Sequence, residues 1–317
     1  MRPAPISIGV SACLLGEKVR YDGDHRRDHY ISRILINHFN LIPYCPEMSI
    51  GLGVPRPTIQ LIEGTHGVRL VDCLEPTIDH TDRMIATANE YCTSLPDSMA
   101  GYLVKARSPS CGLHAVNLFD GNGLARPTGI GLFTARLMRL LPGLPIEEDE
   151  RLHEPHLREN FLERVFIFSH WRSLLADGIE QESLLRFHQR LQLSLLARND
   201  VVLETLNSVL PESPGPVPEP VARRYIRRIM SILSKPPTRE GHQNVMRIVA
   251  LALTKHPPAA DMEPLEIALD QYRTRAASLS QTLKLIKNHL SASALSRFDD
   301  QFYLQLDAIL PGLMSDS

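Results

Sequence analysis

The chain has 317 residues, of which 43% are hydrophobic and 22% are charged, and its formal net charge is −2. These are the values of an ordinary globular protein, and the length favours two domains. No run of eighteen apolar residues occurs, and the start MRPAPISIGV lacks the pattern of a signal peptide. We therefore expect neither a membrane protein nor a secreted one, but a cytoplasmic protein.

Strands alternate with helices along the first half of the sequence. Short apolar runs that end in turns predict strands at ISIGVSACLL, LIPYCPE, VRLVD, GYLVKARSPSCG and AVNLFDGNG. Apolar residues at helical spacing predict helices at YISRILINHF, MIATANEYCTSL and TGIGLFTARLMRLL. This alternation predicts an α/β domain with a mainly parallel, Rossmann-like sheet, in which ligands lie outside the carboxyl ends of the strands.

The pattern changes around LLPGLPIEEDERLHEP, where an acidic helix start precedes long helical periods. Helices are predicted at ENFLERVFIFSHWRSLL, IEQESLLRFHQRLQLSLLARN, VARRYIRRIMSILS, HQNVMRIVALALTKH and EIALDQYRTRAASLSQTLKLIKNHL. The second half therefore predicts an all-α domain. We place the two domains at residues 1–147 and 148–317.

Five cysteines at wide spacings argue against a disulfide framework in a reducing compartment. Cys13, Cys45 and Cys111 fall at predicted strand ends, on one rim of the sheet, whereas Cys73 and Cys92 are expected to pack in the core. Three converging thiolates suit a four-iron cluster held at three irons, or a zinc ion with an open position. Plain burial of the three thiols is the alternative.

Four sequence motifs then point to a family: SACLLGEKVRYDG, CPEMSIGLGVPRP, KARSPSCG and TGIGLFTARL. In order and spacing they resemble the thiouracil desulfidase family over about residues 5–145. The helical remainder, with LERVFIFSHWRSLL and GHQNVMRIVALAL, is similar to the domain often fused behind it. The whole arrangement resembles the tRNA 4-thiouridine desulfidases, which convert 4-thiouridine to uridine. Cys73 and Cys92 match no family motif, and LLARN is less like the family's usual stretch.

The resemblance implies a [4Fe-4S] cluster on Cys13, Cys45 and Cys111 with the fourth iron open. A thiocarbonyl sulfur is soft and binds such an iron, whereas a carbonyl oxygen does so poorly. Water would then attack C4 of the base while the sulfur leaves onto the iron, which acts as a Lewis acid. Exchange of sulfur for oxygen is hydrolytic, so no nucleotide cofactor is expected.

Water attack needs a base and a route for protons. Glu47, two residues after Cys45, is the predicted base, and a solvated turn carboxylate is the alternative. Ser108 and Ser110 precede Cys111 as candidates for a proton relay or for contact with the base. The family pattern favours Ser108, but a turn hydroxyl is the alternative, and the residues themselves do not decide between the two serines.

Four further residues are candidates for substrate binding. Lys105 and Arg107 would neutralise a thiolate-rich site or hold a phosphate, unless they are ordinary surface charges. Tyr21 and Asp22 end the first motif and would line the pocket, unless they only order the loop.

The helical half carries a basic segment, because residues 221–255 hold eight basic side chains and one acidic one. The candidate tRNA contacts are Arg223, Arg224, Arg227, Arg228, Lys235, Arg239 and Arg247, followed by Lys255. The first four recur at helical spacing, so they predict one basic stripe that contacts phosphates without reading sequence. A solvated helix face is the alternative.

These observations favour a cluster-dependent desulfidase of 4-thiouridine in tRNA. A second hypothesis keeps the chemistry but gives it free thiouracil bases, with a structural helical domain. A third is a non-catalytic RNA-binding or sulfur-carrier protein whose metal site only stabilises the fold. A zinc hydrolase is the inorganic alternative.

Overall fold

The computed structural model describes residues 5–198, 210, 214–254, 263–274, 276–293, 298, 300–309 and 313. The chain divides into two compact units. Unit 1 comprises Met1–Phe161 with Phe168–Ser173, and unit 2 comprises Leu162–Ile167 with Leu174–Ser317. The functional domain boundary at residues 147 and 148 stays a prediction.

Within the described ranges, the strands all belong to unit 1. They are β1 Ser7–Ser11, β2 Asn40–Tyr44, β3 Ile59–Gly64, β4 Gly67–Asp72, β5 Met99–Val104, β6 Val116–Phe119, β7 Ala125–Gly129 and β8 Ile146–Glu148. The helices are α1 Pro46–Ser49, α2 Thr81–Ser94, α3 Leu132–Leu140, α4 Pro155–Ala176, α5 Gln181–Arg190, α6 Gln192–Leu196, α7 Glu219–Leu233, α8 Arg239–Thr254, α9 Glu263–Arg273, α10 Leu279–Ser293 and α11 Phe302–Ile309.

The first sheet is parallel throughout, in the order β2-β1-β5-β8. Every residue of β1 and β5 is buried, as expected for central strands of a parallel sheet. Gly9 in β1 lies against the ring of Tyr102 in β5, and a Cβ atom at Gly9 would lie 2.2 Å from Cε2 of that ring. Glycine is therefore required where this aromatic ring crosses the neighbouring strand.

A second sheet, in the order β4-β3-β6-β7, is the main departure from the sequence analysis. Only β3 and β6 pair in parallel, and the other two pairs are antiparallel. Four of the five residues of β7 are exposed, so this strand carries no alternating apolar pattern to predict it. The segment YISRILINHF also differs from the prediction, because it forms a π turn and a 3₁₀ turn instead of an α-helix.

The α/β class of unit 1 and the mostly helical character of the rest of the chain are confirmed. In unit 2, α7 buries Tyr225, Ile229 and Leu233 on one face, while its arginines stay on the other. None of the helices in the described ranges combines the length and apolar character needed to cross a membrane.

His242 is buried in unit 2 beside a tyrosine hydroxyl. Its Nδ1 lies 2.7 Å from the hydroxyl oxygen of the buried Tyr303. Burial lowers the pKa of His242 to about 4, with Glu163 opposing this effect and Arg198 and Arg239 adding to it. An unfolded histidine titrates near 6.5, so between these values the unfolded state binds the extra proton.

We therefore expect the folded state to lose about 2 kcal/mol from His242 as the pH falls from 7.5 to 5. In His242→Gln this loss is absent, so the pH dependence of the unfolding free energy should be shallower by that amount. Urea unfolding followed by circular dichroism at both pH values measures it. Equal pH dependence in the two proteins would show that the histidine does not titrate in this way.

Candidate functional site

The three predicted ligand cysteines line one cavity at the edge of the first sheet. Cys13 lies in the turn after β1, Cys45 directly follows β2, and Cys111 lies on the loop after β5. Since β2, β1 and β5 are neighbours and parallel, their carboxyl ends meet at this edge. The cavity has a volume of about 260 Å³. Cys73 and Cys92 lie outside it and are partly exposed, so they are less deeply packed than expected.

The surroundings disfavour ionisation of these thiols in the absence of a cation. Burial raises the pKa of Cys13 to about 12, and the charge of Cys45 adds to this rise. Burial also raises the pKa of Cys45. It raises that of Cys111 well above its ordinary value, together with the charges of Glu47, Cys45 and Cys13. A bound metal centre would reverse this balance, because coordinated thiols are deprotonated. As a donor set, the three thiols fit a soft cationic group.

A cluster and a single ion make different demands on these cysteines. Within the part of the chain that the structure describes, no group of three or more His, Cys, Asp or Glu side chains could hold a metal ion. In a four-iron cluster each cysteine binds a different iron, so the thiols need not meet at one point. Ligation by all three cysteines stays a prediction.

Glu47 lies in the same cavity, on the one-turn helix α1 that follows Cys45. Its carboxylate is held by Arg56, whose Nε and Nη2 donate to Oε2 at 3.0 and 2.6 Å. The exposed fraction is 14% for the side chain of Glu47 and 3% for that of Arg56. A freely solvated turn carboxylate, the alternative interpretation of Glu47, does not describe this ion pair.

Arg56 is the residue that the sequence analysis missed. It also donates from Nη1 to the carbonyl of Gly53 at 2.7 Å and from Nη2 to that of Val19 at 2.8 Å. It thereby joins the first cysteine motif to the turn that carries Glu47. A single arginine in the apolar, Gly- and Pro-rich stretch GLGVPRP was a signal of such a buried role.

The two candidate serines occupy different places in the Cys111 loop. Ser108 lines the cavity, and its Oγ accepts hydrogen bonds from the backbone N–H groups of Ser110 at 3.3 Å and Cys111 at 3.1 Å. Ser110 is fully buried and does not line the cavity. A Cβ atom on Gly131 would lie 2.5 Å from the carbonyl carbon of Ser110, so the loop packs tightly against the start of α3. Ser108 therefore orders the turn and also faces the cavity.

The acidic run IEED holds this loop from the other side. The sequence pattern placed a helix start there, but the run forms the edge strand β8 and the turn after it. Asp149 Oδ1 accepts from the N–H of Ala106 at 2.8 Å, and Glu148 Oε1 accepts from that of Leu113 at 2.8 Å. Burial alone would raise the pKa of Glu148, but hydrogen bonds from His114 and Leu113 lower it. Both ends of the Cys111 loop are thus fixed by buried carboxylates.

Two family models match separate parts of the chain. Residues 8–149 match the family model described as 2-thiouracil desulfurase. They form a domain of the 2-thiouracil desulfurase family. Residues 192–307 match a second family model, described as a protein of unknown function, DUF1722.

Two similar proteins each match a little less than half of the chain. The uncharacterized protein YbbK of Bacillus subtilis (strain 168) is 28% identical over 158 residues, which are 45% of this chain and 96% of that protein. The solved structure of the [4Fe-4S]-dependent thiouracil desulfidase TudS is 29% identical, with a TM-score of 0.37. That match covers 47% of this chain and 93% of the TudS chain.

The four substrate-binding candidates of the desulfurase domain separate into two groups. Tyr21, Lys105 and Arg107 line the cavity, whereas Asp22 lies outside it. The Oδ1 atom of Asp22 accepts from the backbone N–H of Asp24 at 3.1 Å, which is the loop-ordering role given as the alternative.

Lys105 and Arg107 are both paired with carboxylates. Lys105 Nζ donates to Asp149 Oδ2 at 2.8 Å, and Arg107 Nη2 donates to Glu150 Oε1. Arg107 is exposed and has a left-handed backbone, with φ of 61°. The positive charge of each side chain is therefore largely neutralised within the protein.

The predicted tRNA contacts lie in unit 2. Those exposed along α7 and just beyond it are Arg223, Arg224, Arg227, Arg228 and Lys235. Arg247 is exposed on α8. Arg239 is also exposed, but its side chain is engaged within the protein: it donates to the carbonyl of Tyr272, and its guanidinium carbon lies 4.4 Å from the centroid of that ring. Lys255 lies outside the described residues. The α7 arginines thus form the exposed stripe that their spacing predicts.

Proposed function

We propose that this protein is a [4Fe-4S]-dependent desulfidase that removes sulfur from 4-thiouridine in tRNA, giving uridine and sulfide. The observation that carries the proposal is the cavity of the desulfurase-family domain, where thiols from three strand ends meet a carboxylate and a hydroxyl. Soft donors for a metal and polar groups for water activation are thereby combined in one site.

Cys13, Cys45 and Cys111 would hold the cluster. When bound, it supplies an iron without a protein ligand, a Lewis acid suited to the soft sulfur of a thiocarbonyl. The protein's own contribution is to place polar groups around the reacting carbon. The overall exchange consumes one water and releases hydrogen sulfide, so no external oxidant or reductant is required.

Glu47 is the group that accepts a proton from the attacking water in this proposal. Its Oε2 is occupied by Arg56, which leaves Oε1 for a water in the cavity. Because Arg56 fixes the carboxylate, the water would be held in one direction before attack, which lowers the entropic part of the barrier. Ser108, on the Cys111 loop, offers a hydroxyl to the base or to the leaving proton.

Recognition of tRNA is assigned to the exposed stripe on α7. Arg224, Arg227 and Arg228 have no carboxylate partner among the described residues, and Arg223 pairs with the exposed Glu219. Arginines arranged in this way bind phosphates and position RNA without reading its sequence. The thiolated base would have to leave its stack to reach the cavity, as in other enzymes that act on bases.

An anaerobic assay with 4-thiouridine tRNA and with free 4-thiouracil tests this assignment. In the double variant Arg227→Ala, Arg228→Ala we expect weaker tRNA binding. A plot of log Kd against the logarithm of salt concentration should have a slope smaller by about 2, because two phosphate contacts are lost. Turnover of the free base should not change. The matched control replaces the exposed Arg186 and Arg273, which lie on α5 and α9. Truncation is less suitable, because α4 contributes residues to both units.

The outcomes separate the hypotheses. An unchanged slope would remove the α7 stripe from the interface. Turnover of free 4-thiouracil but not of tRNA would support the free-base desulfidase, and turnover of neither would support a binding protein with a structural metal site. If anaerobically purified protein contains zinc but neither iron nor inorganic sulfide, the result would support the zinc hydrolase.

A further inference from the structure

Arg20 belongs to the wall of the candidate active site but has no assigned role. It lies between Val19 and Tyr21, and Arg56 binds the carbonyl oxygens of both neighbours. The Nη2 of Arg56 donates to Val19 at 2.8 Å, and its backbone N–H donates to Tyr21 at 3.0 Å. The backbone that carries Arg20 is therefore fixed on both sides by a buried residue.

Four cationic side chains line the cavity, and three of them form ion pairs at 2.8 Å or less. Arg56 is paired with Glu47, and the cations of the Cys111 loop are paired with the acidic run described above. Arg20 differs from these three. Its nearest carboxylate oxygen, Asp22 Oδ1, lies 3.4 Å from Nε.

That contact is a loose one. The Nε–H group is buried, and it makes no regular hydrogen bond to Asp22 Oδ1 at this distance. Asp22 also lies within 3.9 Å of Arg26 and accepts from the backbone N–H of Asp24. Its charge is thus shared, and its side chain is one-third exposed to water. The ion pair of Arg20 is therefore the loosest of the four, so a ligand in the cavity can accept a hydrogen bond from its guanidinium without breaking a buried pair.

The position of Arg20 suits a ligand next to the cysteines. Arg20 lines the same cavity as the three predicted cluster ligands. Its Cζ lies 5.2 Å from the centroid of the Tyr21 ring, which lines the same wall. Stacking on that ring restricts the guanidinium to one orientation.

The chemistry of the substrate supplies a matching acceptor. A thiolated uracil carries one carbonyl oxygen besides its thiocarbonyl, and this oxygen can accept a hydrogen bond throughout the reaction. Hydrogen bonds from a charged guanidinium are stronger than neutral ones, so this contact would bind the ring and hold it in one orientation. A guanidinium that is only loosely paired and lies on the cavity wall is the arrangement that this role requires.

We propose that Arg20 is a substrate-binding residue that donates a hydrogen bond to the remaining carbonyl oxygen of the thiolated pyrimidine ring. This inference rests on the proposed desulfidase function and adds the group that recognises the ring. It distinguishes Arg20 from its neighbour Arg26, which is exposed and lies outside the cavity.

The test compares 4-thiouracil with pyrimidine-4-thione, which lacks the second carbonyl. In Arg20→Gln, kcat/KM for 4-thiouracil should fall roughly 10- to 100-fold, the value of a hydrogen bond to a charged group, and that for pyrimidine-4-thione by less than about threefold. Arg20→Lys should lie between, and Arg26→Gln should match the wild type. Iron content and visible absorbance should be unchanged in all three variants.

Equal losses on both compounds, or an equal loss in Arg26→Gln, would overturn the role of Arg20. If wild-type turnover of pyrimidine-4-thione is below detection, its inhibition constant against 4-thiouracil gives the same comparison. If the wild type turns over neither compound nor thiolated tRNA, the proposed function itself fails. That result is distinguishable from failure of the Arg20 assignment alone.

Discussion

Replacement of Cys111 by serine is expected to remove iron from the anaerobically purified protein and to reduce desulfidation by about 10³-fold or more. The expected loss of activity is this large because an open metal site lowers the activation barrier by several kcal/mol as a Lewis acid. Serine is a hard oxygen donor and a poor ligand for an iron–sulfur cluster. It nevertheless fits the same space, so the turn bonded to Ser108 should persist.

The measurements are iron and inorganic sulfide per chain, visible absorbance, and turnover of 4-thiouracil. Cys92→Ser is the matched control, because Cys92 is partly exposed on α2 and lies outside the cavity. It should keep both iron and activity. Full iron content and activity in Cys111→Ser would show that this thiol is not a ligand, and the proposed site would then be wrong.

Replacement of Glu47 by glutamine is expected to leave the cluster in place and to lower kcat by roughly 10²- to 10⁴-fold, the range for loss of a general base. KM should change little, because the amide still fills the position of the carboxylate and can accept from Arg56. Loss of the carboxylate charge leaves the guanidinium of Arg56 buried without its counter-ion. Some loss of thermal stability is therefore expected together with the kinetic effect.

The control Glu63→Gln, on an exposed position of β3, should match the wild type in turnover and stability. Iron content separates the two possible origins of an effect in Glu47→Gln. Lost turnover with full iron supports a catalytic carboxylate, whereas parallel loss of iron and turnover would indicate that Glu47 only stabilises the loop of Cys45. Unchanged turnover would show that Glu47 is not the base.

Much of the secondary structure of unit 1 could be predicted from local sequence patterns. Buried strands that end in turns predicted β1, β2 and β5, and the order of these elements placed three cysteines at one edge of a parallel sheet. The helical periods after α4 predicted the second half in the same way. Such features depend on residues close together in the chain, so periodicity and turn chemistry are sufficient to find them.

The sequence of this protein by itself determined the α/β and helical classes, the thiols at the strand ends and the arginine spacing of α7. Only the tertiary structure decided that Arg56 holds Glu47, that Glu148 and Asp149 hold the Cys111 loop, and that Ser108, not Ser110, faces the cavity. The carboxylate contacts of that loop join positions 35 and 43 residues apart. Pairing over such distances depends on which strands become neighbours, and no local pattern records it.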